Sequence, residues 1–291
     1  AAAAALLLKL DRRQTAHALS TSATLAAGLQ QAFRSDGMSK PLHSAHAAEI
    51  GVMSAMVAAK GVTGALDVLE GPVGMGMAMS GSADWTKATA GLSETYNIEA
   101  ITFKNHGCCG HTFAAIDGLL ALMTSAEITA HEVTKIDIAT YGPAVSVTDR
   151  PNPQTPQECK FSMQYVVAHA AYFGSVRIDA FEEMRMKDPK IRALMQKISV
   201  TVDQQIDDQF PVRRAARVSV TSKAGGVFIH DQHTRKGDPD LPLSDRELNE
   251  KFVELTSPVL GTHLTDKLLK YLWLLDQIDL SACLAYAAQP E

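Results

Sequence analysis

The spacing of apolar residues along the chain changes character twice. Up to residue 92 the apolar positions recur at helical intervals, and many of the side chains are small. Helices are expected over residues 16–33 and 45–60. In the second, Ala47, Ala48, Gly51, Ala55, Ala58 and Ala59 form a surface that another helix can approach closely. Gly61 stands where a helix C-cap needs left-handed backbone, and Thr63-Gly64 is expected to restart the chain into a short helix ending at Gly71-Pro72. The apolar opening, residues 1–8, has no capping residue before it, so its helix is expected to begin upstream.

Over residues 93–240 a two-residue alternation enters. Ile136, Ile138 and Thr140 alternate, as do Ile198, Val200 and Val202. Val218 and Val220 repeat the pattern before a turn at 223–226 and a return over 227–230. These segments predict strands and one hairpin. Helices are expected at 111–125, at 161–173, and after Asp188-Pro189, an N-cap followed by a first-turn proline. Together they predict an α+β domain with a largely antiparallel sheet. From 241 to 291 the pattern is helical again. Ser244-Asp245-Arg246-Glu247 reads as a capping box, with Leu248, Phe252 and Leu255 following at helical spacing. Pro258 and Gly261 are expected to break the chain before a last helix over 265–277. The fold class is thus mainly α with an α+β domain inserted, that is, an all-helical domain plus a smaller antiparallel-sheet domain.

Composition narrows the function. Apolar residues make up 46 % and charged residues 20 % of the 291, as in an ordinary globular protein. The net charge of −5 is spread over interspersed acids and bases, without the basic stripe that nucleic acid requires. No apolar run approaches the roughly 20 residues that span a bilayer. Cys108, Cys109, Cys159 and Cys283 are too few for a disulfide framework, and two are adjacent, so reduced thiols and a cytoplasmic location are expected. Nucleotide-binding glycine loops, a nucleophile elbow and an H-E-x-x-H zinc helix are all missing from the sequence.

The densest polar cluster runs from Phe103 to Thr112, just before an apolar helix. Lys104 and the helix's N-terminal amides suit an anion, and Gly107 and Gly110 let backbone approach it. The rival readings are a plain capped loop, a zinc site built from His106, Cys108, Cys109 and His111, or a reactive Cys109. Zinc fits poorly, because no second ligand pair follows downstream. A second cluster, Ser39 to His46, puts Lys40 at a helix start, where a cation opposes the dipole unless a carboxylate binds between them. A solvated loop lysine is the alternative. Tyr165 either presents a phenol as proton donor or bonds locally in the core, and His169 is expected to pack or to lie at the surface.

Read together, these segments resemble the MmgE/PrpD family, which includes 2-methylcitrate dehydratases, cis-aconitate decarboxylases and iminodisuccinate epimerases. Lys40-Pro41-Leu42-His43 with Ala47-Ala48 and Gly51 resembles the family's lysine loop and helix. Residues 62–71 are similar to its G-[FL]-T-G-x-x-x-x-L-E-G segment. Phe103-Lys104 through Cys109 to Ala115-Ile116-Asp117 resembles its K-x-x-x-x-C…A-I-D block, Phe161 to Tyr165 its F-S-x-x-Y helix, and residues 243–255 its closing helices. Two departures stand out. Many members carry histidine where this chain has Phe113, and the family's earlier His- and Asp-containing motif is not found in this sequence.

The resemblance implies a helical domain (1–92), an inserted α+β domain (93–240) and C-terminal helices (241–291) that return to the helical domain. It implies a homodimer acting on a small polycarboxylate without metal or other cofactor, and with neither nucleic acid nor membrane as partner. Lys104, Tyr165, His106 and His111 become the expected catalytic residues, with Lys40, His43 and Cys109 binding substrate. The expected reaction is α-proton abstraction, first as a 2-methylcitrate dehydratase-type hydro-lyase. Epimerisation and decarboxylation are alternatives, and an inactive fragment or small-acid-binding paralogue is the non-enzymatic one.

Overall fold

A computed structural model of the chain describes residues 1–33 and 37–277, so Cys283 lies outside the described residues. Two compact units emerge. One comprises residues 1–97 and 152–162; the other comprises 98–151 and the chain from 163 onward, including the last helix.

In the helical unit, Ala2–Leu7, Arg12–Thr24 and Lys40–Ala59 pack through Ala5, Ala18, Ala55 and Ala58. A core of methyl groups brings helix backbones close together, as the small-residue pattern predicts. The boundaries differ from expectation for local reasons. Arg12–Thr24 starts early because Asp11 caps it, accepting the Gln14 N–H at 2.8 Å while the Gln14 side chain accepts the Asp11 N–H at 3.1 Å. It stops at Thr24, short of residue 33, and Gly28 beyond it has a φ of 136° that no helix accommodates. Lys40–Ala59 begins before residue 45, because Pro41 in its first turn needs no N–H partner. Gly61 ends this helix at φ 92°, as expected.

The short helix expected at 64–71 does not form. The chain there makes successive turns and folds back, with Met75 and Gly76 N–H bonded to the Val68 and Leu69 carbonyls at 2.8 and 2.9 Å. Helix appears only at Met75–Met79.

The other unit holds a four-stranded sheet in the order β2-β1-β3-β4. The strands are β1 (Val133–Thr140), β2 (Ile198–Val202), β3 (Ala216–Ser222) and β4 (Val227–Gln232), all where alternation predicts them. The sheet is mixed: two of its three pairings are antiparallel, in line with a largely antiparallel expectation, and one departs from it. β1/β3 and β3/β4 are antiparallel, but β1 and β2 are parallel, with Ile136 opposite Ile198. Several helices separate β1 from β2, and a crossover of that length permits parallel pairing. Phe113–Ser125 packs across β3 and β4 and against Met163–Phe173. Phe113, Ile116, Leu119, Ile136, Ile138 and Val220 are buried between them.

Three further details position the site. The helix expected at 161–173 forms as Met163–Phe173, starting two residues late, and a separate short helix, Pro156–Lys160, capped by Thr155, precedes it. The helix expected from 111 opens as a 3₁₀ turn, Gly110–Thr112, and becomes α-helical at Phe113. The Ser244–Glu247 capping box forms, and the helical span Asp245–Leu272 runs through Pro258 and is interrupted at Gly261, where φ is 71°, so the break expected there occurs before a last helical stretch. Asp188 caps Pro189–Met195 as expected. Among the described residues, no helix is long and apolar enough to cross a membrane.

Candidate active site

The loop ahead of Phe113–Ser125 is tied down at two points. The Phe103 N–H donates to the Gly237 carbonyl at 2.8 Å, and the Gly107 N–H to the Val176 carbonyl at 2.8 Å. Gly237 has a φ of 100°, and a Cβ there would lie 2.0 Å from the Phe103 carbonyl oxygen. Only glycine allows the two segments to meet so closely.

Held this way, Lys104, His106 and Gly107 line a cavity of about 250 Å³ with Arg177, Ile178, Lys251, Glu254 and Leu255. That is below the roughly 300–1,000 Å³ of sites for drug-sized ligands, and suits a small metabolite. Its walls carry three cations against one carboxylate. Arg177 is fixed by the Asn105 carbonyl, to which Nη1 donates at 2.5 Å, and by Glu254, 3.4 Å from Nε. Lys104 Nζ donates to the Cys108 carbonyl at 3.5 Å, and Lys251 Nζ donates to the Lys104 carbonyl. Burial pushes the Lys251 amine below its ordinary range, and the nearby charges of Arg177 and Lys104 push it further, against the pull of Glu254. Such a cavity favours an anion.

His106 is 4 % exposed. Its Nε2 lies 3.0 Å from Asp117 Oδ1, and Asp117 Oδ2 accepts the Lys236 backbone N–H at 2.8 Å. The other ring nitrogen, Nδ1, is buried and has no hydrogen-bond partner. The ring meets Phe113 edge-on, 5.2 Å between centroids.

The remaining polar residues of the cluster turn to different partners. Burial pushes the Cys108 thiol up to about 12, and its sulfur is 3.2 Å from Thr112 Oγ1. Cys109 is also buried, and its carbonyl accepts from the Thr112 N–H and hydroxyl at 2.9 and 2.8 Å. His111 Nδ1 is 2.8 Å from the Tyr141 hydroxyl, and burial raises that phenol above its ordinary value. Among the described residues, no three His, Cys, Asp or Glu side chains gather as metal ligands would.

Tyr165 lies fully buried on Met163–Phe173, where its hydroxyl donates to the Ala180 carbonyl. His169, one turn further along the same helix, is buried with Nδ1 3.0 Å from the Ser175 carbonyl, and burial pushes its pKa down. Lys40 and His43 belong to the helical unit. Lys40 is the first residue of its helix, with Nζ 5.1 Å from the Phe161 ring centroid, a cation–π distance. The His43 ring packs over Gly28.

Of the residues picked from sequence, the cavity therefore unites Lys104 and His106. Tyr165, His111 and Cys109 are in the same unit but do not line it, and Lys40 and His43 are in the other unit. Sequence reading missed Arg177, Lys251, Glu254 and Asp117. Lys251, Glu254 and Leu255 follow the capping box at one-face helical spacing, a signal that was available. Arg177 sits in a loop with no comparable mark.

Comparison with known proteins resolves the class. Residues 1–88 match the MmgE/PrpD N-terminal domain and residues 106–277 the MmgE/PrpD C-terminal domain. The chain belongs to the MmgE/PrpD family. Among curated proteins it is similar to the cis-aconitate decarboxylase of Homo sapiens, 26 % identical over 245 residues, covering 82 % of this chain and 50 % of that protein. The cis-aconitate decarboxylase of Mus musculus is 23 % identical over 247 residues, with the same coverage of each chain. A cis-aconitate decarboxylase-like protein of Aspergillus oryzae is 24 % identical over 277 residues, covering 90 % of this chain and 57 % of its own. The chain thus spans about half the length of the curated relatives it matches.

Proposed function

We propose that the protein is a lyase of small polycarboxylic acids, and that the cavity at Lys104 holds the acid while charge develops on a carbon beside a carboxylate. The single observation carrying this reading is the convergence of Lys104, Arg177 and Lys251 on one cavity of metabolite size. Cations fixed in advance stabilise a dianionic or trianionic ground state, and stabilise further the enolate-like charge of the transition state.

Whether a proton or CO₂ leaves that carbon, the same electrostatics apply. Loss of water from a 2-methylcitrate-type acid is the leading expectation from the family resemblance. Loss of CO₂ from a cis-aconitate-type acid is the second reading, favoured by what the three relatives are called. Epimerisation remains the isomerase variant. The roles of Lys40 and His43 in binding a carboxylate, and of Tyr165, His111 and Cys109, stand as part of the proposal, as do a homodimer and a cytoplasmic location.

Incubating the protein in D₂O with citrate, 2-methylcitrate, cis-aconitate and aspartate-derived acids tests the reading, with deuterium incorporation followed by NMR. At least one polycarboxylate should gain deuterium in substrate or product. Lys104→Ala should lower that rate by about 10²–10³-fold, the effect of removing one preorganised charge-stabilising group. No incorporation with any of the acids, or an undiminished rate in the folded variant, overturns the proposal.

A further inference from the structure

The cations account for binding and charge but leave open where a proton would go. We infer that Asp117 is a positioning residue that holds His106 as the proton acceptor of this site, through Nδ1. This rests on the lyase reading above and deepens it.

Two contacts define the imidazole and a third fixes its carboxylate partner. An ionised carboxylate only accepts hydrogen bonds, so the 3.0 Å contact between Asp117 Oδ1 and Nε2 puts the ring's hydrogen on Nε2. In the neutral ring, Nδ1 is then the lone-pair nitrogen. Asp117 cannot swing freely, because its second oxygen is occupied by the Lys236 backbone N–H at 2.8 Å. The edge of Phe113, at an interplanar angle of 80°, fixes the plane of the ring. Tautomer and ring plane are therefore set by residues outside the cavity lining.

What makes this more than a structural ion pair is the nitrogen left over. Nδ1 is buried without a hydrogen-bond partner, on a residue that lines the cavity beside Lys104 and Arg177. Buried polar atoms without partners cost stability and are uncommon in native proteins, and they persist where a function uses them. A bound acid supplies the missing partner. Its C–H bond beside a carboxylate breaks, the electron pair spreads into that carboxylate, and the proton moves to Nδ1. The imidazolium formed donates from Nε2 to Asp117, whose charge stabilises it; the reverse transfer returns a proton to carbon.

Two measurements test this. In ¹⁵N-labelled protein, His106 should be the Nε2–H tautomer at neutral pH, assigned by the signal that His106→Gln removes; an Nδ1–H tautomer overturns the inference whatever the catalytic result. With the acid that the deuterium assay identifies, Asp117→Asn should lower kcat by about 10²-fold or more while KM changes only a few-fold. Asp117→Glu should restore part of the loss. A purely structural aspartate would instead lower melting temperature and active fraction without altering the tautomer. A folded Asp117→Asn protein with kcat within about threefold of the parent overturns the inference. If the parent processes no acid, the lyase reading fails, and the tautomer measurement alone still decides whether Asp117 sets the ring.

Discussion

The helical unit and the sheet unit have cores of opposite grain. The first closes its three helices on four alanines, and leaves Leu42, Val52 and Met56 on Lys40–Ala59 more than half or about half exposed. The second buries Phe113, Ile116, Leu119 and the inward faces of β1 and β3. A methyl seam brings backbones together but removes little apolar surface from water, whereas large side chains remove much more for each residue ordered. The difference bears on chemistry. Lys40 begins a helix of the alanine-cored unit, with an aromatic ring beside it. Lys104 sits in a loop bonded to two other segments and backed by a packed helix. Of the two cationic loops that look alike in sequence, the second shares a cavity with other cations.

The largest test of this contrast cuts the dense core. Ile116→Ala should destabilise the protein by about 2–5 kcal/mol, the usual cost of a buried Ile→Ala cavity, measured by urea unfolding. Next comes the opposite change in the alanine seam. Ala55→Leu should cost about 1–3 kcal/mol by overpacking, and unfolding followed by a probe in the helical unit should register it first. A stabilised Ala55→Leu protein would mean that the seam holds space the contacts do not reveal.

The smallest effect concerns charge. The Lys251 amine is lowered in the folded protein, so between that value and the ordinary 10.5 the unfolded chain binds more protons than the native one. Stability should therefore rise with pH across that window, as the crowded cation is neutralised. Below it the penalty is fully present. Lys251→Met should flatten the rise; an unchanged slope would mean the amine is not crowded in solution.

Much of this was legible in the residues. All four strands follow their alternation, and Gly61, Asp188 and Ser244 act where capping chemistry puts them. Those signals are local, and local physics is what a sequence displays. The parallel pairing of β1 with β2 depends on the path of the chain between them, which no alternation encodes. The short helix Pro156–Lys160 rests on the same local chemistry, a Thr155–Glu158 capping box with proline in the first turn. Within the site, Lys104 and His106 could be read from a dense polar loop. Arg177 could not, since its place is set by the Asn105 carbonyl, far away in the chain.

The contact between Gly237 and Phe103 puts the reactive wall under remote control. A residue that lines no part of the cavity dictates how far the lysine-bearing loop stands from its neighbour, and one added methyl would collide with backbone. On the lyase reading proposed above, activity should therefore be lost through a substitution that removes no charge, no acid and no base. A screen confined to polar residues would pass over it.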